Sequence, residues 1–209
     1  MIILTSSVAS VAEHLQQNYL IDKNYKTILF IDTAAEIEVG KEPSDDDWLI
    51  ADLESLRAQG YKVDRWSITN HTRVEIEEKI DSYDIIYMCG GNTVYLLQQL
   101  QETESLTLIK EKVGAGKPYI GTSAGSIIAG PKVPVYLEDT AGIELSDHTG
   151  FCFTNTIIVP HWGSPYFKEM YLEERLKLAY TETEPPFLLL NDHQYVVLTN
   201  DMFRIEFMT

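Results

Sequence analysis

Apolar residues gather along this chain in short runs rich in β-branched and aromatic side chains. The first six are "IILTS" from residue 2, "KTILFIDTA" from 26, "YKVDRWSI" from 61, "YDIIYMCGG" from 83, "KPYIGTS" from 117 and "NTIIVPHW" from 155; "PFLLLND" from 186, "QYVVLTN" from 194 and "FRIEFM" from 203 follow. A run that stays apolar at consecutive positions, without alternation, reads as a strand covered on both faces. Stretches with apolar residues at helical spacing separate most of the earlier runs, and that alternation predicts an α/β fold on a mainly parallel sheet. The last three runs are joined by "NDH" and "TNDM", too short for a crossover helix, so they predict short antiparallel strands.

Helix-end chemistry supports the same division. "SVASVAEHLQQNYL" opens on serine, and "SDDDWLIADLESLRAQG" opens on Ser44 with Asp45, Asp46 and Asp47, where a helix N-terminus favours negative charge, and closes near Gly60. Capping explains those aspartates without a metal site. "NHTRVEIEEKIDSY" and "NTVYLLQQLQ" likewise place polar residues before a helical apolar stripe. "SPYFKEMYLEERLKLAY" predicts a helix opened by Ser164 and Pro165. Residues 131–150 have neither period and predict loops or a hairpin at the edge of the main sheet.

Composition narrows the functional classes. The 209 residues, 44% hydrophobic, suffice for one sizeable core, so a single domain over 1–209 is expected. Sixteen basic residues against 32 acidic ones give a formal charge of -16, which argues against nucleic acid or an anionic membrane as partner. Cys89 and Cys152 sit in apolar surroundings far apart in sequence, the pattern of buried free thiols in a reducing compartment. The opening residues lack a signal-peptide pattern and no run approaches the length of a membrane span, so a soluble cytoplasmic protein, monomer or homodimer, is expected.

In an open α/β sheet the ligand site lies beyond the carboxyl ends of the strands, so the residues that end the runs deserve the chemical reading. They include Thr5, Ser6, Asp32, Thr33, Gly90, Gly91, Asn92, Ser123, His161, Trp162, Asn191 and Asp192. Gly121-Thr122-Ser123-Ala124-Gly125 fits G-x-S-x-G, a strand-to-helix turn that exposes a serine nucleophile, although a small-residue packing turn has the same composition. Ser126 falls inside the following helix. The amides of Ala124 and Gly91 are candidate oxyanion donors, while Asn92 and Thr93 also serve as simple caps. His161 ends a buried strand and is the preferred proton acceptor over His14, His71, His148 and His193. Asp192 is the preferred orienting acid, with Glu138 and Asp139 as rivals; a simple Asn-Asp turn before the next strand is the reading of Asp192 without chemistry.

Together "GTSAGS", "GGNTVYLL" and "PHW" resemble peptidase family S51, which contains peptidase E, an aspartyl dipeptidase, and more distantly the cyanophycinases. The resemblance implies a flavodoxin-like, class I glutaminase amidotransferase-like sheet. It implies a serine peptidase of dipeptides or short peptides, including those with N-terminal aspartate, with Ser123 as nucleophile, His161 as base and Asp192 as acid. A further acid after the nucleophile helix is implied at Glu138 or Asp139. No metal or organic cofactor is called for. An amidase or esterase on the same residues, or a non-catalytic binding homologue, are the alternatives.

Overall fold

The continuous apolar runs form the middle of a seven-stranded sheet. The computed structural model describes residues 1–20, 23–39, 47–134, 136, 142–180, 185–199 and 202–208. Its strands are β1 (Ile2–Thr5), β2 (Thr27–Ile31), β3 (Lys62–Trp66), β4 (Ile85–Met88), β5 (Tyr119–Thr122), β6 (Ile157–Val159), β7 (Phe187–Leu189), β8 (Gln194–Thr199) and β9 (Met202–Phe207). The large sheet runs β3-β2-β4-β5-β1-β8-β9. Its first five strands are mutually parallel, and β8 and β9 add to β1 as antiparallel neighbours. The order β3-β2-β4-β5 is the flavodoxin-like arrangement, with the N-terminal strand β1 in the fifth place. Every residue of β4 and β5 is buried, which is why these runs show no alternation.

One expectation for the C-terminal strands is corrected. β7 does not pair with β8; it lies parallel to β6 in a separate two-stranded sheet. The short Leu190–His193 link carries the chain from one sheet to the other, so brevity of the link did not impose a hairpin. The two sheets are joined by Ser6 at the end of β1. Its hydroxyl donates to the Leu190 carbonyl at 2.9 Å and accepts the His161 amide at 3.0 Å.

The helices are α1 (Val8–Leu15), α2 (Asp47–Ala58), α3 (Arg73–Asp81), α4 (Thr93–Glu102), α5 (Ser105–Gly114), α6 (Ala124–Ile127) and α7 (Leu176–Ala179). α3 starts with a reciprocal capping box between Thr72 and Glu75, and Asn92 Oδ1 caps α4 by accepting the Tyr95 amide at 3.0 Å. α2 keeps Asp47 in its first turn; Asp45 and Asp46 lie outside the described residues. α5 is a separate helix that follows α4 after two residues, a stretch for which the sequence pattern carried no expectation. Glu104 divides the two at φ 56, in the left-handed region. The helix expected from Ser164 starts later: turns occupy 165–167, and a wide-turn helix at Met170–Arg175 continues into α7.

Among the described residues of 131–150, an antiparallel bridge joins Lys132 to Thr149, and none of them pairs with the large sheet. The Phe151 amide then donates to Ile128 O at 2.7 Å, seating the segment against the turn after α6. Cys89 is buried as expected, but Cys152 is exposed. Its neighbours Phe151 and Phe153 stack on each other, 5.0 Å between centroids, and pack against the core, which turns the intervening residue outward.

Candidate active site

The turn between β5 and α6 holds Ser123 in a conformation that L residues rarely adopt, φ 48 and ψ -110. Neighbours enforce it. The Ser123 amide donates to Thr5 O at 3.0 Å, continuing the β1–β5 ladder, and the Tyr119 hydroxyl donates to Gly125 O at 2.7 Å. A Cβ at Gly125 would stand 2.2 Å from the Met88 carbonyl oxygen, so only glycine lets α6 approach β4 this closely. Gly125→Ala is therefore expected to destabilise the protein by about 1–3 kcal/mol, measured by urea unfolding. Ser126 is wholly buried and its hydroxyl lies 2.7 Å from Thr5 O and 2.8 Å from Gly121 O, a structural position.

His161 leaves the end of β6 and Asp192 the end of β7, and the second sheet brings both to Ser123. His161 Nε2 lies 3.0 Å from Ser123 Oγ, and His161 Nδ1 lies 2.7 Å from Asp192 Oδ1. The proton positions follow from chemistry. An ionised carboxylate can only accept, so Nδ1 carries the proton and Nε2 is left to accept from the serine hydroxyl. The hydrogen bond from His161 holds the Asp192 carboxyl below its ordinary value, outweighing the opposite effect of partial burial. Phe167 stacks on the imidazole face, 4.8 Å between centroids at 11°, which fixes the ring plane. His161 itself sits at φ 59, a second strained residue in the same cluster.

The paired glycines abut this turn. The Gly125 amide donates to Cys89 O at 3.2 Å, and a Cβ on Gly90 would stand 3.2 Å from Ser123 Cβ. Gly91, at φ 125, passes so near Ala34 that a Cβ would come within 2.2 Å of its carbonyl oxygen. The Ala124 amide opens a helix and has no intrahelical acceptor, and neither it nor the Gly91 amide donates to another group among the described residues. Trp48 from α2 stands 3.3 Å from the same Gly90 Cβ position, bringing the indole ring close to the serine turn. Nothing in the sequence singled out Trp48 or Phe167, since a lone aromatic on an amphipathic segment reads as core.

Behind the serine lies a buried polar network that the sequence reading did not find. Ser7 does not cap α1 with its side chain. Thr122 Oγ1 accepts the Val8 amide at 3.0 Å, Asp52 Oδ1 accepts the Ala9 amide at 3.1 Å, and the Tyr87 hydroxyl donates to Asp52 Oδ2 at 2.7 Å. Burial pushes the Asp52 carboxyl up to about 6, against the hydrogen bonds from Tyr87 and Ala9 that favour its anion. A raised folded pKa means that its contribution to stability is complete below the ordinary value of 3.8 and is lost as pH rises through about 6. Asp52→Asn keeps an oxygen for the Ala9 amide and does not ionise. It is expected to remove about 2–3 kcal/mol of pH-dependent stability change between about pH 4 and pH 7, seen as a flatter profile in urea unfolding.

The structure thus brings Ser123, His161 and Asp192 into one hydrogen-bonded line; Ala124 follows the serine in the chain, and Gly91 follows Gly90, whose Cβ position lies against Ser123. Glu138 and Asp139 lie outside the described residues. Among the described residues no three His, Cys, Asp or Glu side chains are grouped to hold a metal ion, and no helix is long and apolar enough to cross a membrane.

The model of peptidase family S51 matches residues 1–206. The chain belongs to peptidase family S51. As an S51 member it is a hydrolase and a serine-type peptidase. It is similar to an uncharacterized peptidase of Pasteurella multocida strain Pm70, 32% identical over 181 residues, covering 84% of this chain and 83% of that one. It is also similar to a peptidase E of Haemophilus influenzae, 33% identical over 117 residues, or 56% of this chain and 50% of the relative. A crystal structure from Listeria monocytogenes EGD-e, provisionally named a peptidase E, superposes with a TM-score of 0.83 at 27% identity, covering 100% of this S51 chain and 98% of the other.

Proposed function

We propose that this S51 chain hydrolyses dipeptides or short peptides at an acyl-enzyme centre formed by Ser123, His161 and Asp192. Ser123 Oγ attacks the scissile carbonyl while His161 Nε2 takes its proton, and the same nitrogen returns it to the leaving amine. Asp192 holds the tautomer and stabilises the imidazolium that forms. The carbonyl oxygen, as it becomes an oxyanion, accepts from the amides of Gly91 and Ala124 at the positive end of α6. Water then releases the acyl group by the reverse path. The observation that carries this reading is the unbroken line from Asp192 to His161 at 2.7 Å and from His161 to Ser123 at 3.0 Å, on a strained turn.

The surroundings bear on the substrate. Arg175 stands over the Tyr171 ring and Lys177 pairs with Glu173, so these cations have partners other than a substrate carboxylate. Arg65 on the strand-end rim is bound to Asp32. Aromatic side chains, Trp48 and Phe167, flank the relay instead. We therefore place the specificity beyond N-terminal aspartate, toward short peptides with apolar side chains, and the free thiols of Cys89 and Cys152 fit action in a reducing cytoplasm. A dipeptide library containing Asp-X and apolar-X members, run beside p-nitrophenyl esters, tests this reading. Cleavage of apolar-X dipeptides in preference to Asp-X supports it, and cleavage of esters with no dipeptide turned over refutes it.

A further inference from the structure

β9 ends the large sheet, and among the described residues no strand covers its outer side. Unprotected edges invite pairing, and proteins usually guard them with charge. The opposite edge, β3, carries Lys62, Asp64 and Arg65, whereas β9 reads Met-Phe-Arg-Ile-Glu-Phe, with Phe203 51% and Phe207 60% exposed. The direction of its backbone groups is set by register. The Met208 amide donates inward to His193 O at 3.0 Å, so in an antiparallel ladder the even-numbered residues of β9 bond to β8. Phe203, Ile205 and Phe207 then turn their N–H and C=O groups outward.

Those residues lie symmetrically about Ile205, and so does the charge. We propose that β9 pairs antiparallel with β9 of a second copy of this chain, the two-fold axis passing at Ile205. In this register Ile205 meets Ile205 of the second copy, Phe203 meets Phe207, and every outward N–H finds an outward C=O. Arg204 comes opposite Glu206 in the closely spaced, non-hydrogen-bonded positions, where opposite charges attract across the strands. Within one chain Arg204 already pairs with Glu206 at 2.8 Å, and Glu206 also accepts from the Tyr19 hydroxyl, so the two copies complete a ring of alternating charge. The axis stands perpendicular to the sheet and leaves Phe203, Ile205 and Phe207 of both copies on one face. Within each chain that face continues into a groove of about 580 Å³ lined by Ile2, Phe153, Leu198 and Phe203, among others. The pairing uses the same β9 edge in both copies, so the contact is two-fold symmetric, closes as a dimer and does not propagate.

Sedimentation or light scattering of the full chain across the micromolar range is expected to give twice 23.8 kDa. The Phe203→Lys, Phe207→Lys double variant is expected to give a single 23.8 kDa species with unchanged circular dichroism. Register is read by cysteine cross-linking in a Cys152→Ser background. An equimolar mixture of Arg204→Cys and Glu206→Cys chains is expected to form a disulfide-linked pair on mild oxidation, while either variant alone remains unlinked. This arm stands even if the lysine variant fails to fold. A wild-type chain that stays monomeric, a lysine variant that folds and remains a dimer, or cross-linking in a single-variant solution as extensive as in the mixture overturns the proposal.

Discussion

Replacing Ser123 by alanine is expected to lower kcat for dipeptide hydrolysis by about 10⁴- to 10⁶-fold while leaving stability within about 1 kcal/mol of wild type. The activity term follows because no other hydroxyl can take the same place. Ser126 is enclosed by Thr5 and Gly121 carbonyls, and the Thr122 hydroxyl is committed to Thr5 and the Val8 amide. The stability term follows from what the Ser123 side chain touches. Its hydroxyl bonds to His161 at 3.0 Å at a partly open site, and alanine experiences the same φ 48 strain as serine. Steady-state kinetics on the best dipeptide, together with thermal melting of both proteins, measure the two effects separately. A variant that melts normally and retains more than about a hundredth of the wild-type rate contradicts the role of Ser123.

Asp192→Asn is expected to cost about 10³- to 10⁴-fold in kcat with little change in KM. The shape of the site survives, but an amide nitrogen facing His161 Nδ1 donates where a carboxylate accepts. The imidazole then carries its proton on Nε2, the atom that must receive the proton of Ser123. In the wild type this failure is kept away from neutral pH. Because the hydrogen bond from His161 depresses the folded pKa of Asp192, the carboxylate's support is complete above the usual aspartate value and is lost only as pH falls through the lower folded one. Rate profiles of wild type and variant from pH 4 to 9 check both points. The wild type should show no loss attributable to Asp192 above about pH 4, and the variant should be slow throughout.

The features legible in the sequence are those set by local chemistry or by double-sided burial. β4 and β5 are buried at every position, so their runs are continuous and their order with intervening helices indicates a parallel sheet. Gly125 is glycine because a carbonyl oxygen occupies the space of its Cβ, and the same constraint makes the small-residue turn around Ser123 recognisable. His161 and Asp192 stood out because strand ends aim their side chains at one rim.

What was missed depends on contacts between distant segments. α1 is capped by Thr122 and Asp52, residues 114 and 43 positions away, so its own serines carried a misleading local signal. β7 pairs with β6 because Ser6 ties the ends of both runs to β1, an arrangement that loop length does not encode. Cys152 faces outward because its phenylalanine neighbours take the inward positions, and an apolar context alone cannot tell which residue of three turns away. Phe167 orients the imidazole only once the turns at 165–167 are formed.

The most direct test of the activated serine is labelling with a fluorophosphonate followed by mass spectrometry of the peptides. The arrangement predicts one adduct, on residue 123, that forms rapidly in the wild type and is nearly lost in His161→Ala. Absence of any adduct, or an adduct at another serine, or equal labelling with and without the imidazole, would contradict it.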